Sequence, residues 1–303
     1  MKRRLLLIFI FAMMLLTACT FTAPEASPPE PTSSTDQESF VFTEQNMPKL
    51  DGSTATIPLI SAVRSVLLGI PREENITVSG TDNAYRKLID SEADLLLVYA
   101  PAQDSLDYAE EQGVKLEMIP IGRDALVFLV NAKNPVRDLT AGQLVDIYSG
   151  TLTNWKDVGG QDAVIRAFQR PLLSGSQTMM DKLVMKGVPM AKAPAEFVIS
   201  EMGGLVDAIA AYNNESNAIG YNVYYYVSHM KPDPNVALLS VGGVAPSTET
   251  IASGAYPFVN DFYAVIRTDA PADSPQRVLF NWIQTADGQD LVSHEGYVPA
   301  GAK

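Results

Sequence analysis

Cysteine occurs once in this 303-residue chain, at Cys19, so no internal disulfide can form. Histidine occurs twice, at His229 and His294. That scarcity leaves no His/Cys spacing suited to a metal ion. It also leaves a Ser-His-Asp hydrolase only two candidate bases, neither placed by sequence beside a nucleophile. No internal repeat and no glycine-rich dinucleotide fingerprint is present. Positive charge is short as well: 22 Lys and Arg stand against 35 Asp and Glu, for a net charge of −13. Such a balance argues against nucleic acid and against attraction to an anionic membrane surface. It does not exclude a small anion held by local donors in a closed cleft. The global field would then slow capture and make it salt-dependent. The apolar run Leu5 to Leu16 is too short to span a bilayer.

What is present begins with the leader. Lys2, Arg3 and Arg4 precede that apolar run, which is of signal-peptide length. It ends in Leu16-Thr17-Ala18-Cys19, which resembles the bacterial lipobox. The resemblance implies a signal peptide over residues 1–18 and a lipid on Cys19, which becomes the first mature residue. Residues 19–46 contain Pro24, Pro28, Pro29 and Pro31 among Ser, Thr and Glu, and are expected to form a mobile tether. Loss of the leader's three basic residues takes the net charge from −13 to −16. The fold is expected to begin near Met47, leaving enough chain for two lobes with separate cores.

Strand and helix patterns alternate from there. Leu59, Ala62, Val63, Val66 and Leu67 follow Pro58 at helical spacing. Asp94 to Tyr99 is a continuous apolar run, as in a buried parallel strand. Strands are also expected at 114–119, 125–130, 218–221, 237–241 and 262–267. Helices are expected at 105–112, after Thr140, at 205–212 and after Ser274. This alternation predicts an α/β fold with mostly parallel sheets, in which ligands sit beyond the carboxyl ends of the strands.

The richest stretch is Arg170-Pro-Leu-Leu-Ser174-Gly175-Ser176-Gln177-Thr178. It lies between the apolar segment 164–168 and a helical pattern at 179–187. Two hydroxyls, a glycine and a helix N-terminus therefore meet four residues after an arginine. The first N–H groups of a helix lack internal partners and sit at the positive end of its dipole, which suits an anion. An ordinary helix cap would use the same residue types. Two other turns repeat the chemistry: Gly52-Ser53-Thr54-Ala55-Thr56 before the first helix, and Ser79-Gly80-Thr81-Asp82 before the second. Three such turns could converge on one tetrahedral oxyanion.

A family resemblance follows from the ordered blocks Ile121 to Asn131 with Asn134-Pro135-Val136, Asp146-Ile147-Tyr148-Ser149-Gly150, and Thr153-Asn154-Trp155-Lys156-Asp157-Val158-Gly159-Gly160. Ala218 to Tyr221, Thr250 to Pro257 and Gly296 to Pro299 continue it. Together these resemble the PstS-like phosphate-binding lipoproteins of bacterial phosphate ABC transporters, from about Gly52 to Pro299.

The resemblance implies a two-lobed periplasmic-binding-protein fold of type II kind, closing around inorganic phosphate. Lobe I would comprise 47–123 plus 262–303 and lobe II 124–261, with a two-crossing hinge near Arg123–Ala125 and Phe258–Phe262. It implies phosphate donors at Thr56, Thr81, Arg170, Ser174, Gly175 and Ser176. One position departs: Tyr99 stands where the family places an aspartate, or a serine followed by an arginine. The aspartate is credited with accepting the proton of hydrogen phosphate, so Tyr99 and Asp82 stand as further candidate ligand residues. The implied role is a non-enzymatic, extracytoplasmic, lipid-anchored binding protein without cofactor or metal, partnered by an ABC permease. Another oxyanion, a small anionic ligand, or a sensory lipoprotein of the same fold is the alternative. Most of Tyr221, Tyr224, Tyr225 and Tyr226 are expected to serve lobe packing, Trp155 to be structural, and His229 and His294 to be surface or structural residues. The charged pairs Asp94/Asp124 and Arg123/Asp124 are expected as hinge or strand-end contacts.

Overall fold

A computed structural model describes residues 40–211 and 216–301. The leader and Cys19 lie outside the described residues. The chain's entry is tied down earlier than Met47: Phe42 is buried in the main core, and Asn46 Nδ2 donates to the Val41 carbonyl at 2.9 Å.

In chain order the elements are β1 (Leu50–Gly52), α1 (Ile57–Leu68), α2 (Thr81–Ile89), β2 (Leu95–Tyr99), α3 (Gln103–Glu111), β3 (Leu116–Asn131), β4 (Asp138–Leu139) and α4 (Ala141–Ser149). They continue with β5 (Arg166–Ala167), α5 (Gly175–Met179), α6 (Met202–Ala211), β6 (Ala218–Val223), β7 (Val236–Leu238) and β8 (Ser240–Val241). The last are α7 (Thr248–Ala252), β9 (Val259–Arg267), α8 (Pro275–Trp282), α9 (Ala286–His294) and β10 (Val298–Pro299). A π-helical turn, Met180–Met185, extends α5.

The helix expected after Thr140 opens on a capping box: the Thr140 hydroxyl accepts from Gln143 N, and the Gln143 side chain accepts from Thr140 N. Helix α2 buries Ala84, Tyr85 and Leu88 on Leu96, Val98 and Val265, a separate small core beside the main one. The α/β class read from the sequence holds. Parallel pairing joins β1 to β2, β5 to β6 and β4 to β8, while β3 and β9 add antiparallel pairs.

The two apolar segments at 114–119 and 125–130 are one strand. Within β3, Leu116 to Ala125 pair with β9, with a register shift between Pro120 and Gly122. Leu126 to Asn131 pair instead with β6 and β7. The partner therefore changes between Ala125, opposite Val259, and Leu126, opposite Val223. Asp124 sits at this changeover and is fully buried. Its carboxylate accepts from Tyr99 Oη at 2.6 Å, Ala125 N at 2.7 Å and Tyr225 N at 3.1 Å. It does not pair with Arg123, because neighbouring strand residues face opposite sides; Arg123 Nε lies 3.5 Å from Asp261. Asp94 likewise meets no charge here, accepting from Lys49 N at 2.7 Å.

Burial pushes the Asp124 carboxyl up to about 6, against the lowering effect of the Tyr99 hydroxyl and the backbone amides of Ala125, Tyr225 and Tyr224. A folded-state value above the unfolded one means the native protein binds the proton more tightly. The resulting stability is fully present below the unfolded value near 4 and lost as pH rises through about 6. The shift corresponds to about 3 kcal/mol. Urea melts at pH 4.5 and 7.5 should therefore show a fall in stability for the native chain that Asp124→Asn lacks. Equal pH slopes in both would contradict this assignment.

Candidate functional site

The site is built from turns that leave strands and enter helices. Gly52 ends β1, and Ser53 and Thr54 follow it. An added Cβ at Gly52 would lie 2.0 Å from the Leu97 carbonyl oxygen, so only glycine lets β1 and β2 approach this closely. Residues 79–83 form the turn into α2, with Gly80 at φ 81°. Tyr99 ends β2. Arg170 follows β5, and Ser174 caps α5, accepting from Gln177 N at 3.2 Å. Ser200 and Glu201 precede α6. These pieces surround one cavity of about 440 Å³. It lies beyond the carboxyl ends of β1, β2 and β6, where helices begin, as expected for such sheets.

Of the residues singled out in the sequence, the structure brings Thr81, Asp82, Tyr99, Arg170, Ser174, Gly175 and Ser176 to this cavity. The two walls touch: an added Cβ at Gly175 would lie 2.5 Å from Thr81 Oγ1. Lys182 Nζ, on the turn that extends α5, donates to the Pro101 carbonyl at 2.8 Å.

Thr56 is the exception. It is fully buried and does not line the cavity. Its hydroxyl lies 2.6 Å from the Leu97 carbonyl and 2.8 Å from that of Ser53, so its one proton goes to the backbone. Ser53 and Thr54, three and two positions earlier in the same turn, line the cavity instead. Ser53 Oγ accepts from Tyr99 N at 3.2 Å and lies 2.8 Å from Thr81 Oγ1. One member of that hydroxyl pair donates to the other, which leaves one proton to offer.

Arg170 is buried. Its Nε donates to Ser176 Oγ at 3.2 Å and its Nη1 to the Ile199 carbonyl at 2.9 Å. Among the described residues it has no carboxylate within 4 Å. Burial lowers its pKa, opposed by the neighbouring Tyr221 and Glu201; a guanidinium stays charged regardless. Two of its five N–H groups are engaged, leaving three for a ligand. Ser174 and Ser176 each accept one bond, so both hydroxyls remain free to donate.

Tyr221 does more than the packing expected of it. Its hydroxyl accepts from Arg170 N at 3.0 Å and donates to Gln177 Oε1. Gln177 Nε2 in turn donates to Asp181 at 2.9 Å. This chain fixes the Arg170 backbone to α5. The other aromatic expectations stand. Tyr225 stacks on Tyr297 at 3.6 Å and on His229 at 4.8 Å, and Trp155 is buried with Nε1 donating to the Asn217 carbonyl at 2.8 Å.

The Tyr99 hydroxyl donates to Asp124, and burial with that carboxylate pushes its pKa well up. Asp82 is also engaged, accepting from Ser105 Oγ and from Arg86 Nε at 3.1 Å. Ser200 and Glu201 were not singled out in the sequence. Nothing in the local pattern marks them, because their turn reaches the cavity only through the packing of α6. Among the described residues no cluster of His, Cys, Asp or Glu could hold a metal ion.

A family model described as the PBP superfamily domain matches residues 50–283. The chain belongs to this superfamily. Its likeness is to PstS-like proteins, which are substrate-binding proteins and not enzymes, as the sequence implied. The phosphate-binding protein PstS of Bacillus subtilis is 29% identical over 194 residues, which cover 63% of this chain and 61% of that relative. That of Borreliella burgdorferi is 25% identical over 209 residues, covering 66% and 72%. A Clostridium perfringens protein solved with bound phosphate superposes with a TM-score of 0.66 at 24% identity, covering 84% of this chain and all of that one. At that identity the likeness speaks to the fold.

Proposed function

We propose that this chain is an extracytoplasmic, lipid-anchored solute-binding protein that captures inorganic phosphate and delivers it to an ABC transporter permease. The observation that carries the reading is Arg170: a buried guanidinium with no carboxylate partner among the described residues, facing a cavity whose walls supply free hydroxyls. A buried charge without a partner is costly; a bound oxyanion supplies the partner. Ser174, Gly175 and Ser176 stand beside Arg170, and Thr81 with Ser53 stands opposite. Phosphate would then accept from both walls at once. A ligand that bridges two walls favours the closed arrangement by its differential affinity.

The lobes are 47–123 with 262–303, and 124–261. Crossings near Arg123–Ala125 and Phe258–Phe262 would fall close to the change of partner in β3 between Ala125 and Leu126 and to the start of β9 at Val259. The lipid on Cys19 and the proline-rich tether would hold the binding domain near its permease. The relatives' names as phosphate-binding proteins support the ligand, and the departure at Thr56 leaves the donor set intact through Ser53 and Thr54.

A thermal-shift panel tests this reading. Phosphate at about a hundred times its dissociation constant adds about 2.7 kcal/mol of stability, a rise of about 5 °C or more for a chain of this size. Sulfate at the same concentration should give a smaller rise. No shift with phosphate would overturn the proposal.

A further inference from the structure

The cavity holds more than an oxyanion needs. At about 440 Å³ it falls in the range of sites for small organic ligands. An anion of five heavy atoms fills a small part of it. Three charged side chains line it: Arg170, Asp82 and Glu201. Asp82 is neutralised by Arg86 at 3.1 Å. Glu201 is exposed toward the cavity and has no salt bridge among the described residues. One guanidinium and one carboxylate therefore remain without a salt-bridge partner among the described residues. A dianion satisfies the first and is repelled by the second, whereas a zwitterion satisfies both. The lining also includes Val78, Leu173, Met202 and Val223, apolar surface that suits a short methylene arm.

We propose that the site also takes a phosphonate or phosphomonoester carrying a short alkylammonium arm, and prefers it to the same ligand without the ammonium. Its phosphoryl group sits on Arg170 and the hydroxyls, and its ammonium group sits at Glu201. The inference rests on the oxyanion reading above and names the ligand class of that same site.

Isothermal titration of four probes tests it: inorganic phosphate, 2-aminoethylphosphonate, phosphoethanolamine and propylphosphonate. The last matches the first amine in shape but lacks the ammonium. The aminated probes should bind tighter than propylphosphonate by up to about fivefold, the scale of a partly exposed ion pair. The stronger of the two tells phosphonate from ester. Glu201→Gln should weaken the aminated probes and tighten inorganic phosphate, a reversal of sign that a merely structural residue would not give. Equal binding of aminated and propyl probes, or a preference that survives Glu201→Gln, would overturn the proposal while leaving the oxyanion reading standing. Failure of all four probes to bind would sink both.

Discussion

Arg170→Met is expected to weaken phosphate binding by about a hundredfold or more, on the scale of truncating one partner of a buried charge pair. Methionine keeps much of the side-chain volume and removes every donor. The ligand would then lose the only cation that lines its cavity among the described residues, while still surrendering its own hydration. The free protein should not suffer in proportion. Burial already works against the charged form of Arg170, and no carboxylate within 4 Å compensates it among the described residues, so removing the charge strands no carboxylate; only the Ser176 hydroxyl and the half-buried Ile199 carbonyl lose a donor. Affinity by titration should therefore collapse while the melting temperature of the unliganded protein changes little. Arg170→Lys keeps the charge but not the planar fork and should fall between the two. A methionine variant that binds phosphate within a few fold of the native chain would contradict the assignment.

Gly52→Ala should act in the opposite way, on the fold first. Its Cβ would lie 2.0 Å from the Leu97 carbonyl oxygen and 2.8 Å from Thr56 Oγ1. The first is backbone in a paired strand and cannot swing aside. The β1–β2 pair would have to part, breaking the register that sets Gly52 opposite Leu97. Overpacking of this kind costs about 3 kcal/mol. The loss should appear in a urea melt, together with weaker binding, because Ser53 and Thr54 hang from the same turn. A melt that overlays the native one would show that the backbone there yields more easily than its packing implies.

The sequence carried the outline of this site because helix starts have a local chemistry. Ser174, Gly175, Ser176 and Thr81 were legible as turn residues before helices, and each reaches the cavity. The alternation of apolar strands and amphipathic helices was legible for the same reason: both periods are short. What was not legible depends on contacts far along the chain. Thr56 and Ser53 are equivalent in composition, and only the tight turn between them decides which hydroxyl meets the Leu97 carbonyl and which meets the cavity. Glu201 sits in an unremarkable loop until α6 is docked. Tyr221 reads as one of several tyrosines, and its hold on the Arg170 backbone spans 51 residues. The join of two apolar segments into β3 turns on Gly122, whose added Cβ would lie 2.4 Å from the Phe262 ring. A glycine between two apolar runs looks like a break, yet here it lets the strand pass close to its neighbour.

The most direct measurement is a crystal structure of the protein grown with arsenate, a tetrahedral oxyanion whose anomalous scattering marks its position. The account predicts one strong anomalous peak in the cavity, within hydrogen-bonding reach of the Arg170 guanidinium and the Ser176 hydroxyl, with Thr81 or Ser53 closing on it from the opposite wall. A peak elsewhere, or an empty cavity at saturating arsenate, would contradict it.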